Sequence, residues 1–213
     1  MAYTFLDLKT KLTTQVGDPN LDSTVIADAI NYTQQEIFAK YDLTLNSDSQ
    51  TNTITSGTSS LASALPSDFQ RISSLRVTLP VVNATDITER YMSPKKFRTS
   101  FPAIYLIGPP ANWTFWTAIE FSTLVDQTYT VKIDYIKSIP LLSASSDIPL
   151  VPQAFEEMLM LGAKIRIYEQ KEDFDYASQF QNRFADLVEA FTTRYSTRQV
   201  DNMVVIPGAR GRV

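Results

Sequence analysis

Residues 151–195 read VPQAFEEMLMLGAKIRIYEQKEDFDYASQFQNRFADLVEAFTTRY, and their apolar positions decide how the rest of the chain is laid out. Pro152 suits the first turn of a helix, where its missing N–H is not needed. Beyond it, Phe155, Met158, Leu159, Gly162, Ile165, Ile167 and Tyr168 cover more than one stripe. A helix that is apolar nearly all round is predicted to stand in the middle of a bundle, wetted on a narrow side only. Gly162 costs about 1 kcal/mol against Ala at such a position, which points to close approach of a neighbouring helix. Glu172 and Asp173 then lead into a second helix, in which Ala177, Phe180, Phe184, Leu187, Phe191 and Tyr195 recur at helical spacing.

The first 45 residues supply partners for this pair. Thr4-Phe5-Leu6-Asp7 has the form of a capping box with Asp in place of Glu, and Phe5, Leu8, Leu12 and Val16 follow on one face until Gly17 and Pro19. Asp22 or Ser23 caps a longer helix whose Ile26, Ala29, Ile30, Thr33, Ile37 and Tyr41 share a face. From Asn46 the composition turns to Ser, Thr, Asn and Gly, and the apolar spacing becomes alternating. Strands are predicted near 51–55, 60–64, 72–79, 87–92, 104–107, 117–121 and 129–137, with a short helix opened by Ser93-Pro94. The expected architecture is α+β: a four-helix bundle-like domain formed by 1–46 with 148–195, an inserted antiparallel β-sandwich or barrel-like module at 47–147, and an extended C-terminal tail at 196–213.

Composition removes most chemistry. With 213 residues, 44% of them hydrophobic, the chain can bury a core, but it contains no cysteine and no histidine. A Ser-His-Asp triad, a Cys-His pair and an ordinary zinc site are excluded, and no catalytic, cofactor-binding or metal-ligating residue is assigned. The net charge of -4 divides into +2 over 196–213, from Arg198, Arg210 and Arg212 against Asp201, and therefore -6 over the remainder. An acidic body is a poor grip for phosphates, whereas a basic tail suits an acidic protein face or nucleic acid. No apolar run approaches the roughly 18 residues that span a bilayer, and the N-terminus lacks the pattern of a secretory signal, so no membrane association is expected.

Few local motifs survive inspection. Asp18, Asn20 and Asp22 match the first ligands of an EF-hand loop, but Ser23 stands where Gly is needed and Ala29 where a bidentate Glu is needed, so the stretch reads as an interhelical turn. Glu169, Glu172, Asp173 and Asp175 form an acidic group that a helix N-terminus favours without any cation. The Asn-x-Thr triplets at Asn31, Asn83 and Asn112 follow no secretory signal and read as chance matches. The cluster Trp113, Phe115, Trp116 fits a buried sheet core or a subunit interface, and supplies the alternative reading of a soluble β module that binds a sugar or peptide. The tail is the sharpest feature: Met203, Val204, Val205 and Ile206 form an apolar run flanked by Arg198, Arg210 and Arg212, as groove docking or strand addition to a partner requires.

Three passages carry a family likeness. Leu65-Pro-Ser-Asp-Phe-Gln-Arg-Ile-Ser-Ser-Leu75 is similar to the LPxDFxRIxSV passage common among head-to-tail adaptor proteins of tailed bacteriophages, the group that includes tail tubular protein A and gatekeeper-type connectors. Tyr129-Thr-Val-Lys-Ile-Asp-Tyr135 leading to Pro140, and the helix from Asp175 to Phe184, resemble the same group, as does the order of helical hairpin, β insertion, two long helices and tail. The Gly-x-Pro usual ahead of the Tyr105 strand is absent, and Phe101-Pro102-Ala103 stand there. The resemblance implies a non-enzymatic virion protein of the neck, assembled in the host cytoplasm without cofactors. It further implies a homo-oligomeric, dodecameric ring below the portal, with DNA passing through its channel unread and a downstream tail or nozzle protein beneath. The tail residues Arg198, Met203, Val204, Val205, Ile206, Arg210 and Arg212 are then the expected contacts to the portal protein or a neighbouring subunit.

Overall fold

A computed structural model describes residues 3–18, 20–41, 43–61, 65–78 and 85–196. It contains two compact units, one formed by the residues up to Asn46 together with those from Ile139, the other by Ser47–Ser138.

In the first unit, α1 (Phe5–Val16) is opened by the capping box its sequence announces. The Thr4 hydroxyl accepts from the Asp7 amide at 3.2 Å, and the Asp7 carboxylate accepts from the Thr4 amide at 2.8 Å. Gly17 closes the helix at φ 67°, a left-handed conformation that a residue without Cβ adopts at no steric cost. α2 (Ser23–Lys40) is capped by Asp22, which accepts from the Thr24 amide at 2.9 Å, and it buries Ile26, Ala29, Ile30, Thr33 and Ile37 as the spacing predicts. The helix α3 (Pro94–Ser100) belongs to the second unit. α4 (Glu156–Gln170) buries Met158 to Ala163, Ile165 and Ile167 and packs between α2 and α5 (Phe174–Tyr195), in the central position expected of it. Leu8, Leu12, Ile30, Leu159 and Phe191 are buried in the core these helices share. Among the described residues no helix is long and apolar enough to cross a membrane.

The chain from Ile139 to Val151 packs with these helices without regular structure of its own. Both polar ends of the buried Asn31 amide hold it: Nδ2 donates to the Leu142 carbonyl at 3.0 Å and Oδ1 accepts from the Leu142 amide at 2.8 Å. The Phe5 amide donates to the Asp147 carbonyl at 2.8 Å, and the buried Tyr3 hydroxyl to the Val151 carbonyl at 2.6 Å.

The second unit is built on strands β1 (Ser47–Ile54), β2 (Phe69–Thr78), β3 (Thr85–Asp86), β4 (Ile107–Gly108), β5 (Trp113–Phe115), β6 (Ile119–Phe121), β7 (Leu124–Val125) and β8 (Tyr129–Lys137). One antiparallel sheet has the order β1-β8-β2-β3, β4 pairs with β7 in parallel, and β5 pairs with β6 antiparallel. β8 lies inside the sheet and alternates up to Tyr135: Tyr129, Val131, Ile133 and Tyr135 are buried in a core with Ile54, Leu75, Val77, Trp113 and Phe121, while Thr130, Lys132 and Asp134 are more exposed; Ile136, also buried, breaks the pattern. β1 pairs with it without interruption from Ser47↔Ile136 to Ile54↔Tyr129.

Several expectations are corrected here. The sheet does not close on itself among the described residues, because β1 and β3 end it without pairing to each other, so the barrel-like module is not found. The strand expected at 87–92 is a 3-10 turn, Thr88–Arg90: the Asp86 carboxylate accepts from the Thr88 amide at 2.8 Å, and the Thr88 hydroxyl accepts from the Leu75 amide at 2.8 Å. Such side-chain bonds to local backbone compete with strand pairing. Of the run expected at 104–107 only Ile107 is paired, the run at 117–121 begins at Ile119, and Trp113–Phe115 forms an unforeseen strand.

Candidate functional site

The tail residues Arg198, Met203, Val204, Val205, Ile206, Arg210 and Arg212 lie outside the described residues. What the structure defines is the root from which they depart. The last turn of α5 is fastened by rings: Phe191, fully buried, has its centroid 5.1 Å from Phe155, 5.1 Å from Tyr195 and 6.1 Å from Phe38. Ser196 ends the helix, its amide donating to the Thr192 carbonyl at 2.8 Å. The same residue forms an antiparallel bridge with Leu43, and the Thr44 hydroxyl donates to the Tyr195 carbonyl at 3.2 Å. The sequence places the beginning of the tail by loss of periodicity, but it gives no sign of this tie to the segment after α2.

The aromatic cluster of the second unit is divided. Trp113 is buried, its Nε1 donating to the Ile87 carbonyl at 2.8 Å, with Tyr91 at 5.0 Å between centroids. Phe115 packs against Phe69 at 5.5 Å, while Trp116 is exposed beside the Arg98 guanidinium, 5.6 Å from its ring centroid. The three rings therefore do not share one surface. A cleft of about 350 Å³ does open beside them, lined by Phe69, Arg71, Ile72, Tyr91, Trp113 and Phe115. It joins three separated segments, which is why no local pattern announced it, and residues 69–72 of its wall lie within the passage that carries the family likeness.

Three of the acidic candidates, Asp18, Asp22 and Asp173, are occupied with structural work. Asp18 is drawn below the ordinary carboxylate range by the Lys171 ammonium and then by the Asn20 amide. Asp22 is lowered by the Thr24 amide it caps. Asp173 caps α5 by accepting from the Tyr176 amide at 3.2 Å, just after Glu172 has ended the preceding turn at φ 60°. Among the described residues no three groups able to hold a metal ion come together.

Comparison with curated proteins finds no match. The family model described as SU10 adaptor protein matches residues 3–205, nearly the whole chain. The chain belongs to the SU10 adaptor family. The likeness to phage head-to-tail adaptors read from residues 65–75 is thereby confirmed, and the protein is a structural phage component rather than a member of an enzyme family. The match runs through both units of the adaptor and past Ser196, and so includes Arg198, Met203, Val204 and Val205; Ile206, Arg210 and Arg212 lie beyond it.

Proposed function

We propose that this adaptor forms a dodecameric ring that joins the portal protein to a downstream tail or nozzle protein and lines the channel through which DNA passes. The observation that carries the reading is the family match over residues 3–205. Two physical features support it. A body of net charge -6 outside the tail lets a polyanion slide, whereas a strongly basic lumen would exchange its counterions for phosphates and hold the duplex. The tail, with its apolar run 203–206 between arginines, starts from a root tied to both α5 and the segment after α2. In this reading Arg198, Met203 to Ile206, Arg210 and Arg212 dock on a portal or neighbouring subunit.

Deleting residues 197–213 should abolish co-purification with the portal while leaving the circular dichroism of the adaptor unchanged; undiminished portal binding would overturn the docking role. Negative-stain images of the adaptor with portal should show rings. The cleft beside Phe69 and Trp113 keeps a second reading in view, a ligand-binding β module, although Trp116 contributes nothing to that cleft. A Phe69→Ala variant that lost a response to sugars or peptides and still assembled into rings would favour it.

A further inference from the structure

We infer that successive copies of the adaptor meet head to tail through two surfaces of opposite charge, a basic apolar surface around α3 on one copy and the acidic turn between α4 and α5 on the next. The inference rests on the ring reading above. It names the surfaces that make the ring.

The first surface begins at α3, which buries Phe97 and turns Lys95, Lys96 and Arg98 outward. None of these three cations is in an ion pair among the described residues. A few residues on, Tyr105, Leu106 and Ile107 stand 83%, 67% and 73% exposed in succession, and the Arg98 guanidinium lies against the exposed ring of Trp116. Isolated exposed apolar residues are ordinary, but three consecutive large ones a few residues along the chain from three exposed cations mark a stretch that is covered in use.

The second surface is its counterpart. Between α4 and α5, Glu169, Glu172, Asp173 and Asp175 are all exposed. Phe174, 64% exposed, and Tyr176 project among them. The cation of this turn, Lys171, is directed to Asp18, so it leaves the acidic character of the tip intact. Each surface thus offers what the other lacks: carboxylates for Lys95, Lys96 and Arg98, and aromatic rings for the strip Tyr105 to Ile107. Opposite charge steers encounter and sets register, while the apolar residues supply burial. Because the two surfaces are different and lie on every copy, repeated contact generates a ring when the rotation closes.

Duplex DNA is the competing occupant of the basic surface. Its phosphates could meet Lys95, Lys96 and Arg98, but a duplex would leave the apolar strip Tyr105 to Ile107 uncovered and the acidic turn without a partner, so a second copy fits better.

The chain has no cysteine, which makes a directed crosslink clean. A mixture of the full-length Lys96→Cys and Asp173→Cys variants should form an intermolecular disulfide on mild oxidation, and the double variant should give a ladder of covalent oligomers. Crosslinks that form equally well within either single variant alone would overturn the inference. Charge reversal supplies an independent arm. Lys95→Glu with Lys96→Glu, and separately Glu172→Lys with Asp173→Lys, should each weaken self-association at least tenfold, and mixing the two reversed proteins should restore it. Failure of the mixture to recover, or loss that follows binding to a random DNA duplex instead, would refute the pairing. Rings imaged on portal without the crosslink would discard these surfaces and leave the ring standing. Absence of any ring on portal would discard both.

Discussion

Gly162 sits where α4 meets Thr33 of α2 and Phe184 of α5. A Cβ placed there would lie 2.3 Å from the Thr33 methyl and 2.9 Å from the Phe184 ring, so α2 and α4 approach as closely as they do only because position 162 has no side chain. Gly162→Ala ordinarily gains about 1 kcal/mol in a helix, but here overpacking should reverse the sign and cost about 1–3 kcal/mol, read as a lower urea midpoint. Thr33→Ser removes the obstructing methyl and should recover part of that loss. Tyr3 gives a pH signature. Burial first, and then the Glu156 carboxylate, raises its phenol above the ordinary value of 10.0. Because the folded form holds the proton more tightly, the contribution of the bond to Val151 is complete below the unfolded value and drains away as pH climbs above it. Thermal stability should therefore fall on the alkaline side, and Tyr3→Phe, at a cost of about 1 kcal/mol near neutrality, should flatten that limb.

Helices of this adaptor announce themselves because their determinants are local. Thr4 and Asp7 lie one turn apart, and the stripes of α2 and α5 repeat every three or four residues, so the four long helices are legible from sequence alone. α4 reads as central because its apolar residues leave almost no polar face. The β unit is legible where strands are long, as in β2 and β8, and less so where they are two or three residues: β4 and β6 are anticipated with displaced bounds and β5 and β7 are not, since alternation needs several residues to show. The insertion is expected to run over 47–147, yet within 139–147 the chain hydrogen-bonds to α1 and α2. That placement hangs on Asn31, more than a hundred residues away, which no local pattern reveals. Asn31→Ala should leave the Leu142 amide and carbonyl buried and unpaired. A loss of about 2–3 kcal/mol, with faster proteolytic cutting between 139 and 147, is expected. Of the candidate site, the tail stood out by charge and apolar content, whereas the cleft and the acidic–basic pairing of surfaces depend on which side chains the fold leaves exposed.

Each unit of the adaptor has a core of its own, one centred on Leu8, Ile30 and Leu159, the other on Leu75, Val131 and Phe121. Calorimetry should resolve two transitions, and both should persist in the protein lacking residues 197–213, since the described residues of each core pack with one another. Tension applied at Ser196 would enter at fastenings that include the last amide bond of α5, the bridge to Leu43 and the Thr44 hydroxyl. Leu43 and Thr44 follow directly on α2, so the load divides between two helices, and the rings of Phe38, Phe155 and Phe191 behind them resist the last turn of α5 being peeled away. The last turn of α5 is thus riveted to the segment that follows α2, so that a pull on Ser196 is shared between two helices rather than taken by one.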